Sequence, residues 1–94
     1  MRSQSVYKIP QGKLLKISVE YTKKKNVIKN IWITGDFFAY PEESIELIEK
    51  KLRNTVLEQS QLLEKIRSII TDYQIQFIGV DAEGLTKAIL MCKP

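Results

Sequence analysis

The sequence predicts an α+β fold: an antiparallel β-hairpin or small three-stranded sheet, packed on one side by two or three α-helices. Three features carry that prediction. Leu15, Ile17, Val19 and Tyr21 alternate with Lys16, Ser18 and Glu20, the period-two pattern of a half-buried strand. Val27–Thr34 is a second β-branched run, and the polar stretch Thr22–Asn26 between the two is a turn. After Pro41 the apolar residues recur three and four positions apart, the spacing of helices with one buried face.

Residues 1–5 read as a disordered start to a single domain over residues 6–94, because chain ends order only when something ties them down. Val6–Pro10 is a short extended piece, ended by Pro10 and Gly12. Leu14–Tyr21 and Val27–Thr34 then form the hairpin. Strict alternation puts Val27, Ile31 and Ile33 on one face of the second strand with Lys29, and Ile28, Asn30, Trp32 and Thr34 on the other. The first helix is expected to begin near Pro41, since proline lacks only an N–H that would be unpaired at the first helical position. Glu42 and Glu43 suit the positive end of its dipole, and Lys50, Lys51 and Arg53 the negative end. Ile45, Ile48 and Leu52 make its apolar stripe with Leu47 beside it, and Asn54 is the stop. A second helix runs from Glu58 or Ser60 to Tyr73, with Leu62, Leu63, Ile66, Ile69 and Ile70 at helical spacing. Gln74–Val80 is a third strand or a tight connector. Asp81 caps a last helix, Ala82–Met91, with Leu85, Ala88 and Ile89 inward. Gly84 weakens that helix by about 1 kcal/mol relative to alanine, which makes it marginal.

A chain of 94 residues supports one domain with a modest core. It contains no apolar run of the ~18 residues that a membrane-spanning helix needs. The start lacks the apolar stretch of a signal peptide, so cytoplasm is the expected location. One cysteine excludes an internal disulfide and a multi-cysteine metal site or iron–sulfur cluster. With only Lys93 nearby to lower its pKa, Cys92 reads as inert. The absence of histidine removes the commonest general base and metal ligand. No phosphate-cradling glycine loop and no Ser-His-Asp set can be assembled either, so no catalytic residue and no metal site is assigned. Lys23–Lys25 is the only dense cluster within a net charge of +4. It reads as a solvated turn that discourages edge-to-edge pairing. The alternative is a small basic nucleic-acid-binding α+β module. Against it, the basic residues are spread over every element, and no paired rings sit on adjacent central strands.

The richest stretch for function is Gly35-Asp36-Phe37-Phe38-Ala39-Tyr40-Pro41-Glu42-Glu43, where the hairpin hands over to the first helix. Three rings within four positions of a loop are either folded back as a plug or offered to a partner. Antiparallel pairing brings Gly12-Lys13 beside Asp36. The result is a composite patch of a cation, a carboxylate and rings, or else a salt bridge over a hydrophobic plug. The expectation is that one phenylalanine is core and the other faces a partner. Trp32 is either a surface anchor on the open sheet face or covered by the N-terminal segment or a helix. The candidate interface or site-completing residues are therefore Lys13, Trp32, Asp36, Phe37, Phe38 and Tyr40.

Two runs resemble a known family. Ile9-Pro10-Gln11-Gly12-Lys13-Leu14-Leu15-Lys16-Ile17 and Ile31-Trp32-Ile33-Thr34-Gly35-Asp36-Phe37-Phe38-Ala39-Tyr40-Pro41-Glu42-Glu43 are similar to the C-terminal accessory domain of lipoate–protein ligases. Ile78-Gly79-Val80-Asp81 before a short helix resembles it too, so the likeness covers nearly the whole chain. In most such ligases this domain is fused to a larger catalytic one, and some archaeal-type systems split the two. A chain that starts at Met1 and holds only the small domain looks like the separate small subunit. The resemblance implies a partner, the large catalytic subunit, and indirectly lipoyl acceptor domains, with no membrane and no nucleic acid. ATP, Mg and lipoate are expected on the large subunit and no cofactor on this chain. The implied reaction converts lipoate to lipoyl-AMP before transfer to an acceptor lysine, with this subunit needed for activation though inactive alone.

Overall fold

The computed structural model describes residues 2–10 and 12–92. Met1 of the expected disordered start, Gln11 of the family-like run and Lys93 beside Cys92 lie outside them. Three antiparallel strands, β1 (Arg2–Lys8), β2 (Leu14–Thr22) and β3 (Val27–Gly35), form one sheet in that order. A separate ribbon pairs β4 (Phe38–Tyr40) with β5 (Gln76–Ile78). Helices α1 (Ser44–Lys51), α2 (Gln59–Asp72) and α3 (Ala82–Leu90) cover one face of the larger sheet. The core lies between that face (Leu15, Ile17, Val19, Ile31, Ile33) and helix residues such as Ile48, Leu62, Ile66, Leu85 and Ile89. The predicted α+β layering holds.

Four expectations need correction. First, Arg2–Ser5 is a strand, not a disordered start. It is tied down from beneath: the buried Ser5 hydroxyl donates to the Ala88 carbonyl at 2.7 Å and accepts from Cys92 Sγ at 3.3 Å. The third strand of the main sheet is therefore β1, and the Ile75–Ile78 region joins the ribbon instead.

Second, β3 does not alternate strictly. Glu20 pairs with Asn30 and Tyr21 with Ile28, which leaves Lys29 as an extra residue. This bulge flips the start of the strand, so Ile28 enters the core with Ile31 and Ile33 while Lys29 points to solvent. An alternating reading cannot place a bulge that lets a lysine escape burial.

Third, α1 begins at Ser44 rather than near Pro41. The backbone through Tyr40 is taken by β4, and a turn closed by Ser44 N–H to Pro41 O at 3.0 Å leads into the helix. Glu46, not Glu42 or Glu43, is the acidic residue of the first turn.

Fourth, Gly84 is not a plain loss to α3 relative to alanine. Asp81 caps the helix, accepting from Gly84 N–H at 2.6 Å, and Leu85, Ala88 and Ile89 are buried. Gly84 is needed there: a Cβ would lie 2.8 Å from Asp81 Oδ1 and 3.0 Å from Ile9 Cδ1. α2 matches its predicted limits, with Glu58 as N-cap and Tyr73 as C-cap.

Candidate docking site

The site grows from the end of the sheet where β1 turns into β2. Gly12 N–H donates to Ile9 O at 2.8 Å, closing the turn, and Ile9 N–H donates to Lys13 O at 3.1 Å. Lys13 N–H in turn donates to Gly79 O at 3.0 Å, just beyond β5. On the other side Asp36 N–H donates to Leu14 O at 3.2 Å. Both backbone groups of Lys13 are thus engaged, and its side chain is exposed.

Two glycines make the convergence possible. At Gly35 a Cβ would run into the Leu14 carbonyl oxygen. At Gly79 the backbone is left-handed, with φ +93°, and a Cβ would collide with the Lys13 stem that crosses it.

Within this frame neighbouring rings take opposite roles. Phe37 is half-buried against the core and meets Phe77 edge-on, with ring centroids 6.3 Å apart and planes at 77°. Such a pair adds about 0.5–1.5 kcal/mol beyond the buried area. Phe38 and Tyr40 point outward, 66% and 62% exposed, and Ile78, directly opposite Phe38 in the ribbon, is 60% exposed. Ala39 and Phe77 form the inward pair of the same ribbon. A short ribbon thus buries one apolar face and offers the other to solvent. Phe37 thus packs against the core while Phe38 is open to solvent.

The structure therefore groups Lys13, Asp36, Phe37, Phe38 and Tyr40 at one end of the sheet. It sets the backbones of Lys13 and Asp36 near each other through Leu14, but among the described residues the two side chains form no ion pair. Trp32 lies elsewhere, opposite Ser18 on the helix-free face of the sheet. It is 42% exposed, and the Arg2 guanidinium sits over its ring, 4.7 Å from the centroid. Arg2 of β1 covers one side of the indole and the rest is open. Lys23–Lys25 is an exposed hairpin turn.

Sequence reasoning missed Ile78, Phe77 and Gly79. The alternation of Ile75 and Phe77 against Gln76 and Ile78 was a usable signal. Without the partner strand β4, though, no face of it could be assigned to the surface.

Away from this end, Arg67 on α2 and Glu83 on α3 form an exposed ion pair. The Arg67 guanidinium holds the Glu83 carboxyl below the ordinary carboxylate range. Among the described residues no group of acidic, cysteine or histidine side chains converges as metal ligands, and no helix is long and apolar enough to cross a membrane.

Comparison with known proteins agrees with this geometry. The family described as bacterial lipoate protein ligase C-terminus matches residues 9–89. Lipoate-protein ligase A subunit 2 of Thermoplasma acidophilum is 40% identical over 67 residues, which span 68% of this chain and 65% of that relative. The match thus takes in just under two-thirds of the relative's length. A solved chain superposes with a TM-score of 0.80 and 29% identity, covering 95% of this chain and 94% of its own. It comes from a structural analysis of an archaeal lipoylation system, a bi-partite lipoate protein ligase and its E2 lipoyl domain from Thermoplasma acidophilum.

Proposed function

This chain belongs to the lipoate protein ligase C-terminus family, and from that premise we propose that it is the non-catalytic small subunit of a two-chain lipoate–protein ligase of the cytoplasm. It docks on a large catalytic subunit and is required for ATP-dependent activation of lipoate. The observation that carries the reading is the outward face of the β4–β5 ribbon, where Phe38, Tyr40 and Ile78 stand exposed beside a rigidly held Lys13. Exposed rings on a fixed backbone are the usual anchors of protein interfaces. Burying each of these side chains contributes roughly 1.5–3 kcal/mol.

The chemistry explains why a docked domain helps. In the activation step a lipoate carboxylate oxygen attacks the α-phosphorus of ATP and pyrophosphate leaves. In the transfer step an acceptor lysine amine attacks the lipoyl carbonyl and AMP leaves. The intermediate is a mixed anhydride that water destroys, so a domain closed over the site protects it. ATP, Mg and lipoate are held by the large subunit in this scheme. Lys13 adds positive potential where charge builds on the phosphates. Asp36 flanks the anchor, and Phe37 supports it from beneath.

Gel filtration of the mixed subunits tests the anchor. Phe38→Ala combined with Tyr40→Ala is expected to weaken the complex about 1,000-fold, since two such anchors carry about 2 kcal/mol each. A double variant that co-elutes like the native chain at low micromolar concentration overturns the anchor. In the same mixtures, Lys13→Ala is expected to slow lipoate-dependent ATP–pyrophosphate exchange without dissociating the complex. Unchanged exchange would make Lys13 purely structural.

A further inference from the structure

The two edges of the three-stranded sheet are treated differently. Along β3 the edge is sealed. Ile28 N–H donates to Thr55 O at 2.9 Å, Asn54 N–H to Ile28 O at 2.8 Å and Leu57 N–H to Asn26 O at 2.7 Å. Further along, Ile33 N–H donates to the Glu49 carboxylate at 2.7 Å. Along β1 there is no such cover. Among the described residues the backbone of Arg2–Lys8 pairs with β2 alone. The strand carries no bulge, no proline and no register shift; of the devices that blunt an edge it has only the cations Arg2 and Lys8 at its ends.

The ladder fixes which groups point outward. Ile9 N–H donates to Lys13 O, continuing the register that pairs Lys8 with Leu14 and Tyr7 with Leu15. Bonded and non-bonded pairs alternate in an antiparallel ladder, so Tyr7, Ser5 and Ser3 bond to β2. Asp36 N–H donating to Leu14 O gives the same answer from the far side, because it turns Leu14 toward β3. The N–H groups of Gln4, Val6 and Lys8 therefore face the open edge.

A second copy of this chain is a poor occupant. Full antiparallel self-pairing that keeps the two faces of the sheet continuous is centred on Ser5. It sets Arg2 opposite Lys8 at both ends, and like charges directly opposite are destabilising. β1 has two cations at its ends and no carboxylate.

We infer that this edge receives an extended segment of the large catalytic subunit, with a carboxylate opposite Lys8, which adds a fourth strand across the subunit boundary; Arg2 instead reaches back across the sheet to Ser18 and Trp32. The inference rests on the two-subunit reading above. Position favours the same partner. Lys8, Leu14 and Asp36 lie on neighbouring strands at one end of the sheet, so Lys8 is about 10 Å, two inter-strand spacings, from the backbone that leads into Phe38. A protein seated on the ribbon reaches this edge without a second contact region.

Amide hydrogen exchange, read by NMR on the labelled small chain alone and in complex with the large subunit, tests it. In the free chain Ser3, Ser5 and Tyr7 amides are expected to be protected and Gln4, Val6 and Lys8 to exchange fast. In the complex the second set is expected to slow about tenfold or more. A complex that forms while Gln4, Val6 and Lys8 exchange as before overturns the edge pairing and leaves the two-subunit reading standing. Failure to form any complex overturns both. Protection of the same amides in the free chain, rising with its concentration, assigns the edge to a second copy and overturns the inference.

A paired variant separates backbone from side-chain contact. Val6→Pro removes one outward N–H, and proline is tolerated on edge strands. It is expected to weaken the complex about tenfold, against less than about threefold for Val6→Ala. Equal affinities for the two would contradict strand pairing, and the exchange measurement on the native chain decides if Val6→Pro does not fold.

Discussion

At the scale of single residues, the contact between Cys92 and Ser5 links the last helix to the first strand. Cys92 Sγ is fully buried and donates to Ser5 Oγ at 3.3 Å. Burial pushes the thiol pKa up, and the bond to Ser5 offsets this only in part. The folded form therefore keeps the proton, whereas an unfolded thiol releases it near pH ~8.5. Above that pH the unfolded state binds fewer protons than the folded one, so this group's contribution to stability falls as pH rises toward the folded pKa. Urea midpoints measured across the alkaline range should decline more steeply for the native chain than for Cys92→Ala. Parallel slopes would assign the decline to other groups. The opposite exposure of Phe37 and Phe38 was legible in the sequence, since adjacent residues of extended chain face opposite ways. The role of Gly79 was not, because it depends on Lys13 crossing it from a distant part of the chain.

At the scale of elements, the ribbon is the part that has to be stiff. It has only three residues on each strand and relies on its inward face, Ala39 and Phe77 with Phe37 beneath. Removing Phe77 takes away the edge-on contact and half-buried area that hold Phe38 and Ile78 outward. Phe77→Ala is expected to lower global stability by about 2 kcal/mol, less than the 3–5 kcal/mol of a fully buried ring. It should also broaden or shift the NMR signals of Phe38 and Ile78. A loss under about 0.5 kcal/mol with an unchanged ribbon would mean the inward face does not hold it. The long amphipathic helices were readable because their spacing is local. The ribbon was not, since pairing of Phe38–Tyr40 with Gln76–Ile78 spans two helices. The bulge at Lys29 escaped for a related reason: only the register against Glu20 and Tyr21 reveals it.

At the scale of the molecule, the helices take one face of the sheet and leave the chain with an apolar ribbon and an uncapped strand edge at neighbouring positions. An exposed apolar ribbon and an open strand edge both suit attachment to a partner protein. The layering of sheet and helices was legible from the change of period after Pro41. The identity of the third strand was not, because Arg2–Ser5 carries no apolar signal and is held by the Ser5 hydroxyl. The central claim is that this chain completes a separate catalytic subunit. Lipoate-dependent ATP–pyrophosphate exchange, measured on each purified subunit and on their equimolar mixture, tests it most directly. The account predicts exchange in the mixture, none from the 94-residue chain alone and little from the large subunit alone. Exchange by the small chain unaided, or full exchange by the large subunit without it, would contradict the account.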